Sequence, residues 1–122
     1  MGGIDYIDGS TGIVIETVRT DKRFKKERIS CIIEGLEFEL EIDRTDDAET
    51  EAERKKRLYS YLTREIRAES GMNRVQFAMW LGIPYRTMQE WEIGRRLMPD
   101  YLLRLIAYKV NSEKKSGRLA KS

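Results

Sequence analysis

The chain has 122 residues, of which 40% are hydrophobic and 36% charged, with one cysteine and no histidine; it has room for one ordinary domain, or two very small ones, around a modest core. A lone Cys31 excludes an internal disulfide, and without histidine the usual zinc ligand sets are missing, so neither a metal nor a cofactor is expected. The net charge of +2 conceals an asymmetry: residues 1–60 carry −4 and residues 61–122 carry +6, which makes the second half the one suited to phosphates.

No apolar run approaches the roughly 18 residues of a membrane span, and the N-terminus lacks the basic start and apolar block of a signal peptide. A cytoplasmic protein with no membrane association is therefore expected. Residues 1–12 are rich in glycine and aspartate, with Ile4, Tyr6 and Ile7 as apolar anchors, and read as a short edge strand or a loose segment. Ile13–Thr20 is dominated by β-branched residues and reads as a strand. A charged connection, Asp21–Lys26, leads to a partner strand over Glu27–Ile33, where Cys31 is a buried strand residue. Glu34 and Gly35 make a two-residue turn. Leu36, Phe38, Leu40 and Ile42 then alternate with Glu37, Glu39 and Glu41, as in an antiparallel sheet with one covered face and one wet face. Such a sheet needs a second layer, supplied either by the helices that follow or by another subunit. Residues 1–46 thus form a small β module for dimerisation or partner binding.

The polar stretch Arg44–Thr50 marks a change of architecture, with Asp46 or Asp47 as N-cap of a long helix reaching Ser70. Glu51 with Lys55 and Glu53 with Arg57 stand at i,i+4, and Arg54–Arg57 reads as a solvated helical face. Leu58, Leu62 and Ile66 recur every four residues and make an apolar stripe. Over Gly71–Pro99 two short helical patterns flank a glycine turn. Asn73 is an N-cap, Val75, Phe77, Ala78 and Leu81 follow at mostly helical spacing, and Gly82 ends the pattern. Pro84 suits a first helical position; Met88 and Trp91 form a narrow stripe, while Tyr85, Arg86, Gln89 and Glu90 project elsewhere.

From Arg67 to Pro99 the chain resembles the helix-turn-helix domain of Cro and phage C1-type repressors, the XRE family, over roughly Leu58–Val110. The features that carry the resemblance are a glycine, an N-cap, Ala78, the Leu81–Gly82 pair, Thr87, Glu92, Gly94, basic residues and Pro99, at ungapped spacing. It implies a four- or five-helix lambda-repressor-like domain over residues 47–110; with the small N-terminal antiparallel sheet read above, the chain is expected to be an α+β protein, and residues 111–122, basic and without periodicity, read as a flexible tail. The second helix of the motif, Pro84–Ile93, is implied to lie in the major groove. Tyr85, Arg86, Gln89 and Glu90 match base-reading positions, and Arg74, Thr87, Arg95 and Arg96 match backbone contacts. Arg67 and Glu92 match a structural ion pair. Phe77, Ala78, Leu81, Ile83, Met88 and Trp91 are expected in the core, with Ile66 before them and Leu102, Leu105 or Leu103, and Ile106 after Pro99.

Departures from the family pattern also carry information. Val75, Met79 and Trp80 fall where relatives are polar, so a contact with the sheet or with a second subunit is expected there. Leu97, Met98 and Asp100 replace basic or polar groups, and Leu97 and Met98 suit a dimer surface. The resemblance implies a dimeric bacterial or phage repressor on a palindromic double-stranded operator, often one controlling its own operon. A second reading, similar to antitoxins and some anti-CRISPR proteins, has the acidic β module inhibit a basic protein partner through Glu37, Glu39 and Glu41 while the helix-turn-helix autoregulates. With no histidine, phosphate loop or metal cluster, an enzyme is not expected.

Overall fold

The computed structural model describes residues 3–8, 13–21, 23, 26–43 and 49–119. The chain divides into two compact units, Met1–Glu49 and Thr50–Ser122. The first is a four-stranded antiparallel sheet of strands β1 (Gly3–Asp8), β2 (Ile13–Asp21), β3 (Lys26–Ile33) and β4 (Leu36–Asp43), ordered as in the sequence. The second holds four helices: α1 (Glu51–Ser70), α2 (Arg74–Leu81), α3 (Tyr85–Glu92) and α4 (Asp100–Lys115). An α+β chain with its sheet first and its helices second is therefore observed, and the N-terminal segment contributes a strand and not a loose end.

The period-two pattern of the sequence sets the register of β3 and β4. Glu27, Ile29, Cys31 and Ile33 stand opposite Ile42, Leu40, Phe38 and Leu36, and all eight are buried. Ile15 pairs with Cys31 and Ile13 with Ile33, which extends the buried face onto β2. A slip of one residue would turn this whole row to solvent, so the alternation holds the register firmly. Glu34 and Gly35 close the hairpin with φ of 45° and 85°, the left-handed pair that a two-residue turn between twisted strands requires. The register shifts between Thr17 and Arg19, and Val18 at that irregularity is exposed.

On the opposite face the glutamates are not a bare acidic row. Arg28 lies 3.9 Å from Glu39 and 4.0 Å from Glu41, and Lys26 pairs with Asp43 across the same two strands. Exposed pairs of this kind add little stability, but they offset like-charge repulsion along β4.

Helix α1 begins later than the aspartates suggest. Thr50 is the N-cap, its hydroxyl accepting from the Glu53 N–H; Asp46 and Asp47 lie outside the described residues. A threonine two residues before Ala52 does the work because its side chain reaches the third backbone donor of the helix. Leu58, Leu62 and Ile66 are buried with Tyr59 and Thr63, as the four-residue spacing anticipates. α4 lies alongside α1 in parallel. At its start Asp100 accepts from the Tyr59 hydroxyl at 2.7 Å and pairs with Lys55 at 3.0 Å; at its end Lys114 pairs with Glu69. All three contacts connect residues 41 to 45 positions apart, an offset that stays within one helical turn along both helices, as parallel packing requires.

Several sequence expectations change at α4. Leu103, Ile106, Ala107 and Val110 are buried, whereas Leu105 is exposed and Leu81 and Ile83 are half-buried. The helix also runs to Lys115, past the anticipated end at Val110, with Ser116–Leu119 folded back onto its last turn through N–H bonds to Glu113 and its neighbours. The flexible tail expected from residue 111 thus begins as helix over 111–115 and continues as a hydrogen-bonded turn over 116–119; residues 120–122 lie outside the described set.

Burial also settles the chemistry of Cys31. Removal from water pushes its thiol up from 9.0 to about 12, because the thiolate loses its hydration and gains no partner charge. The folded chain then holds that proton at pH values where the unfolded chain has lost it. The stability contribution is full below the unfolded value and is lost as pH rises through about 12. Labelling with a thiol-reactive disulfide reagent is expected to be slow in the native protein at neutral pH and complete within the mixing time in denaturant.

Candidate nucleic-acid interface

The site is built from α2, α3 and the two loops that bracket α3. Asn73 caps α2 with a reciprocal pair of bonds: its side-chain oxygen accepts from the Gln76 N–H at 2.8 Å, and the Gln76 side chain accepts from the Asn73 N–H at 3.1 Å. This capping box fixes the entry of the chain into α2. At the other end Gly82 adopts φ 71° and donates to Ala78 and Met79 carbonyls, and the Ile83 N–H returns to Ala78 at 2.9 Å. Only a residue without a Cβ takes that left-handed conformation at no cost. Gly82, Ile83 and Pro84 are then all that separates the two helices. Pro84 is the N-cap of α3 and not its first turn; its carbonyl accepts from Met88.

One side of α3 is locked into the core. Met88 and Trp91 are buried against the helical unit, and the Glu92 side chain is 0% exposed. Arg67 of α1 donates to that carboxylate twice, Nε to Oε2 at 2.9 Å and Nη2 to Oε1 at 3.1 Å, a bidentate geometry that suits guanidinium and carboxylate planes. Arg67 also donates to the Met72 carbonyl. The ion pair expected between Arg67 and Glu92 is therefore present, and it has a third member: Arg74 of α2 donates from Nε to Glu92 Oε1 at 3.1 Å. One carboxylate ties three helices together.

The other side of α3 faces outward. Arg86 and Gln89 are exposed on it and Tyr85 at its margin, and neither Arg86 nor Gln89 has a side-chain partner among the described residues. Ile93 is exposed on the same face. Its spacing of four from Gln89 makes the two neighbours on that face. Glu90 stands at the margin. Its side chain is largely covered and accepts from Arg96 Nη2 at 3.2 Å, so a residue matched to base reading and a residue matched to backbone contact hold each other. Thr87 is half-buried on the opposite flank.

The loop after α3 is bound to the helix and does not hang free. Ile93 donates to Gln89, Gly94 to Trp91, and both Arg95 and Arg96 N–H groups return to the Glu90 carbonyl. Gly94 makes this possible with φ 78°. Its missing Cβ would sit 3.6 Å from the Ser60 hydroxyl, an ordinary contact, so the conformation and not space demands glycine. Arg95 and Arg96 are exposed at the turn's exit.

Among the residues assigned to an interdomain or dimer contact, the structure separates two groups. Met98 is 1% exposed and belongs to the core; the turn at Gly94 points the chain back inward just before Pro99, which overturns its assignment to a surface. Trp80 is covered inside its own unit by Phe77, with ring centroids 6.0 Å apart, and by the Lys109 ammonium 4.5 Å above its ring. Val75, Met79 and Leu97 remain exposed, Met79 at 76%. A further stripe was missed: Tyr101, Leu105 and Tyr108 are all exposed on the outer face of α4. Their i, i+4, i+7 spacing was visible, but a leucine in an amphipathic helix was read as core.

Among the described residues no group of acidic, cysteine or histidine side chains is placed to hold a metal ion, and no helix is long and apolar enough to cross a membrane. Comparison of the chain with protein-family models, curated proteins and solved structures finds no match. The class that the local geometry defines is thus a four-helix unit with a short-turn helix pair, following a separate antiparallel sheet.

Replacing Glu92 with alanine is expected to be the most damaging change in this unit. It strips the shared anion from two arginines that are each about three-quarters covered, and a broken buried pair costs about 3–5 kcal/mol. Arg67→Ala should cost less, because Arg74 still faces the carboxylate. Urea unfolding of the two variants, followed by circular dichroism at helical wavelengths, checks the order.

Proposed function

We propose that the protein is a sequence-specific DNA-binding transcriptional regulator, of the bacterial or phage repressor type that the Cro/C1-like motif suggests. The observation that carries this reading is the division of α3 into two faces. Met88 and Trp91 anchor one face, Arg86 and Gln89 are presented on the other, and Tyr85 is exposed at the margin between them, in line with the buried Glu92. A helix held by its back and studded with bidentate hydrogen-bonding side chains on its front suits the major groove, where arginine can grip guanine and glutamine can grip adenine. Arg95 and Arg96, exposed on a backbone turn fixed to the same helix, would meet phosphates on the flank in this reading, and Thr87 is the matching candidate on the other side.

One such helix covers few base pairs, so a homodimer on a palindromic operator, with recognition helices about 34 Å apart, is the arrangement we favour. Val75, Met79 and Leu97, together with the Tyr101, Leu105 and Tyr108 stripe, are candidate self-association surfaces. The alternative in which the β module engages a basic protein, as an antitoxin or anti-CRISPR-like inhibitor would, finds less support. Arg28 already stands between Glu39 and Glu41, so the row offers a partner less negative charge than its sequence implies.

The reading is tested by selecting duplexes from a random-sequence pool with the full-length chain and titrating salt against the winner. Arg86→Ala should lower discrimination between the selected duplex and a scrambled one by about 1–3 kcal/mol. Arg95→Ala should instead weaken both alike and reduce the salt slope by about one. A wild-type chain that enriches no sequence, or binds without salt dependence, would sink the proposal.

A further inference from the structure

Arg74 matches a position that touches the DNA backbone, yet its guanidinium is already engaged inside the protein. From the first turn of α2 it reaches both ends of α3. Nε donates to Glu92, the last residue of the helix, at 3.1 Å. Nη1 lies 3.5 Å from the hydroxyl of Tyr85, the first residue, at the outer limit of a hydrogen bond, and the guanidinium carbon is 6.0 Å from the centre of the Tyr85 ring. Tyr85 and Glu92 are seven residues apart, about 10 Å along the helix axis, and close to two full turns, so they lie on nearly the same line of its surface. The Tyr85 and Glu92 side chains, rooted at the two ends of α3, therefore converge on one guanidinium of α2, whose side chain is 27% exposed.

The electrostatics explain why a second arginine is there. Arg67 alone satisfies the Glu92 carboxylate with two bonds, so neutralising that buried anion does not require Arg74. What Arg74 adds is the reach to Tyr85. An exposed tyrosine at the start of a helix is otherwise free to sample its rotamers, and ordering it on binding weakens the complex. The guanidinium offers the ring a cation and the hydroxyl a donor at once. Hydrogen bonds to Tyr85 and Glu92 favour the charged form of Arg74 against the partial burial that opposes it.

We propose that Arg74 is a positioning residue for base recognition: it holds the Tyr85 side chain and the lie of α3 against α2, and it is not itself a phosphate ligand. This rests on the reading of α3 as the recognition helix. It predicts that Arg74 affects which sequence is bound, while the exposed Arg95 affects how tightly any sequence is bound.

The test uses the full-length chain, the duplex that the wild type selects from a random pool, and a scrambled duplex of the same composition. Arg74→Ala, Arg74→Lys, Tyr85→Phe and the double variant Arg74→Ala/Tyr85→Phe are compared across a range of salt. Arg74→Ala and Tyr85→Phe should each weaken binding to the selected duplex by about two- to tenfold and leave the scrambled duplex and the salt slope unchanged. The double variant should be no worse than the worse single one, which is the signature of a coupled pair. Arg74→Lys keeps a cation beside Glu92 and so guards against loss of folding, but an ammonium cannot bridge both ends of α3; it should behave like the alanine variant. Equal weakening on both duplexes, with a salt slope lower by about one and restored by lysine, would make Arg74 a phosphate contact and overturn the inference. Should the wild type enrich no sequence, the recognition reading fails, and ring resonances of Tyr85 in the free protein decide this inference separately: a spectrum unchanged in Arg74→Lys overturns it.

Discussion

The helical unit depends on one buried anion. Glu92 has no exposed side-chain surface, and an ionised carboxylate out of water is tolerated only when opposite charge and hydrogen bonds replace its hydration. Arg67 from α1 and Arg74 from α2 supply both. Because the donors come from two helices and the acceptor from a third, the requirement to satisfy one group becomes a requirement on three orientations. Apolar packing around Met88 and Trp91 gains from any close arrangement, whereas fork-shaped guanidinium bonds at 2.9–3.1 Å are lost with small rotations. The ion cluster thus restricts α3 more narrowly than the core beneath it does.

That restriction matters for the outward face. Arg86 and Gln89 are exposed side chains with many rotamers, and in the proposed function their ability to read a base-edge pattern depends on the helix that carries them being fixed. The Gly82 turn on one side and the Gly94 turn on the other fix its two ends, each with backbone N–H groups returned to the helix just completed. The arginines of the second loop are then held at a set distance from the face by the same bonds that end α3. Two arginines on one carboxylate also leave a positive charge in excess beside the helix, of the sign that a phosphate-lined groove attracts.

The β unit obeys a simpler constraint. Its register follows from the need to bury Ile29, Cys31, Phe38 and Leu40 together, and its wet face is a ladder of opposed charges in which Arg28 serves two glutamates. The sequence showed three glutamates in alternation but not the arginine, because cross-strand neighbours are set by the hairpin, and Arg28 stands 11 and 13 residues before Glu39 and Glu41. A feature that looked like a ligand for a basic protein is, in place, a surface with part of its charge already met.

What the sequence by itself determined is whatever rests on short-range periodicity and on residues with special backbone needs. The alternation in β4, the Glu34–Gly35 turn, the Asn73 cap, the Gly82 turn and the stripe of Leu58, Leu62 and Ile66 were all legible, since each is set by neighbours within four residues. Tertiary structure decided what depends on direction after a turn and on choice among nearby partners. Met98 entered the core because the Gly94 turn redirects the chain; Asp100 became the partner of Tyr59 and Lys55 because α4 lies parallel to α1. Arg74, alike in sequence to an arginine waiting for phosphate, was drawn to Glu92 and Tyr85 because α2 and α3 bring them within its reach. A long flexible cation takes whichever acceptor the fold puts beside it, and spacing along the chain does not record that choice.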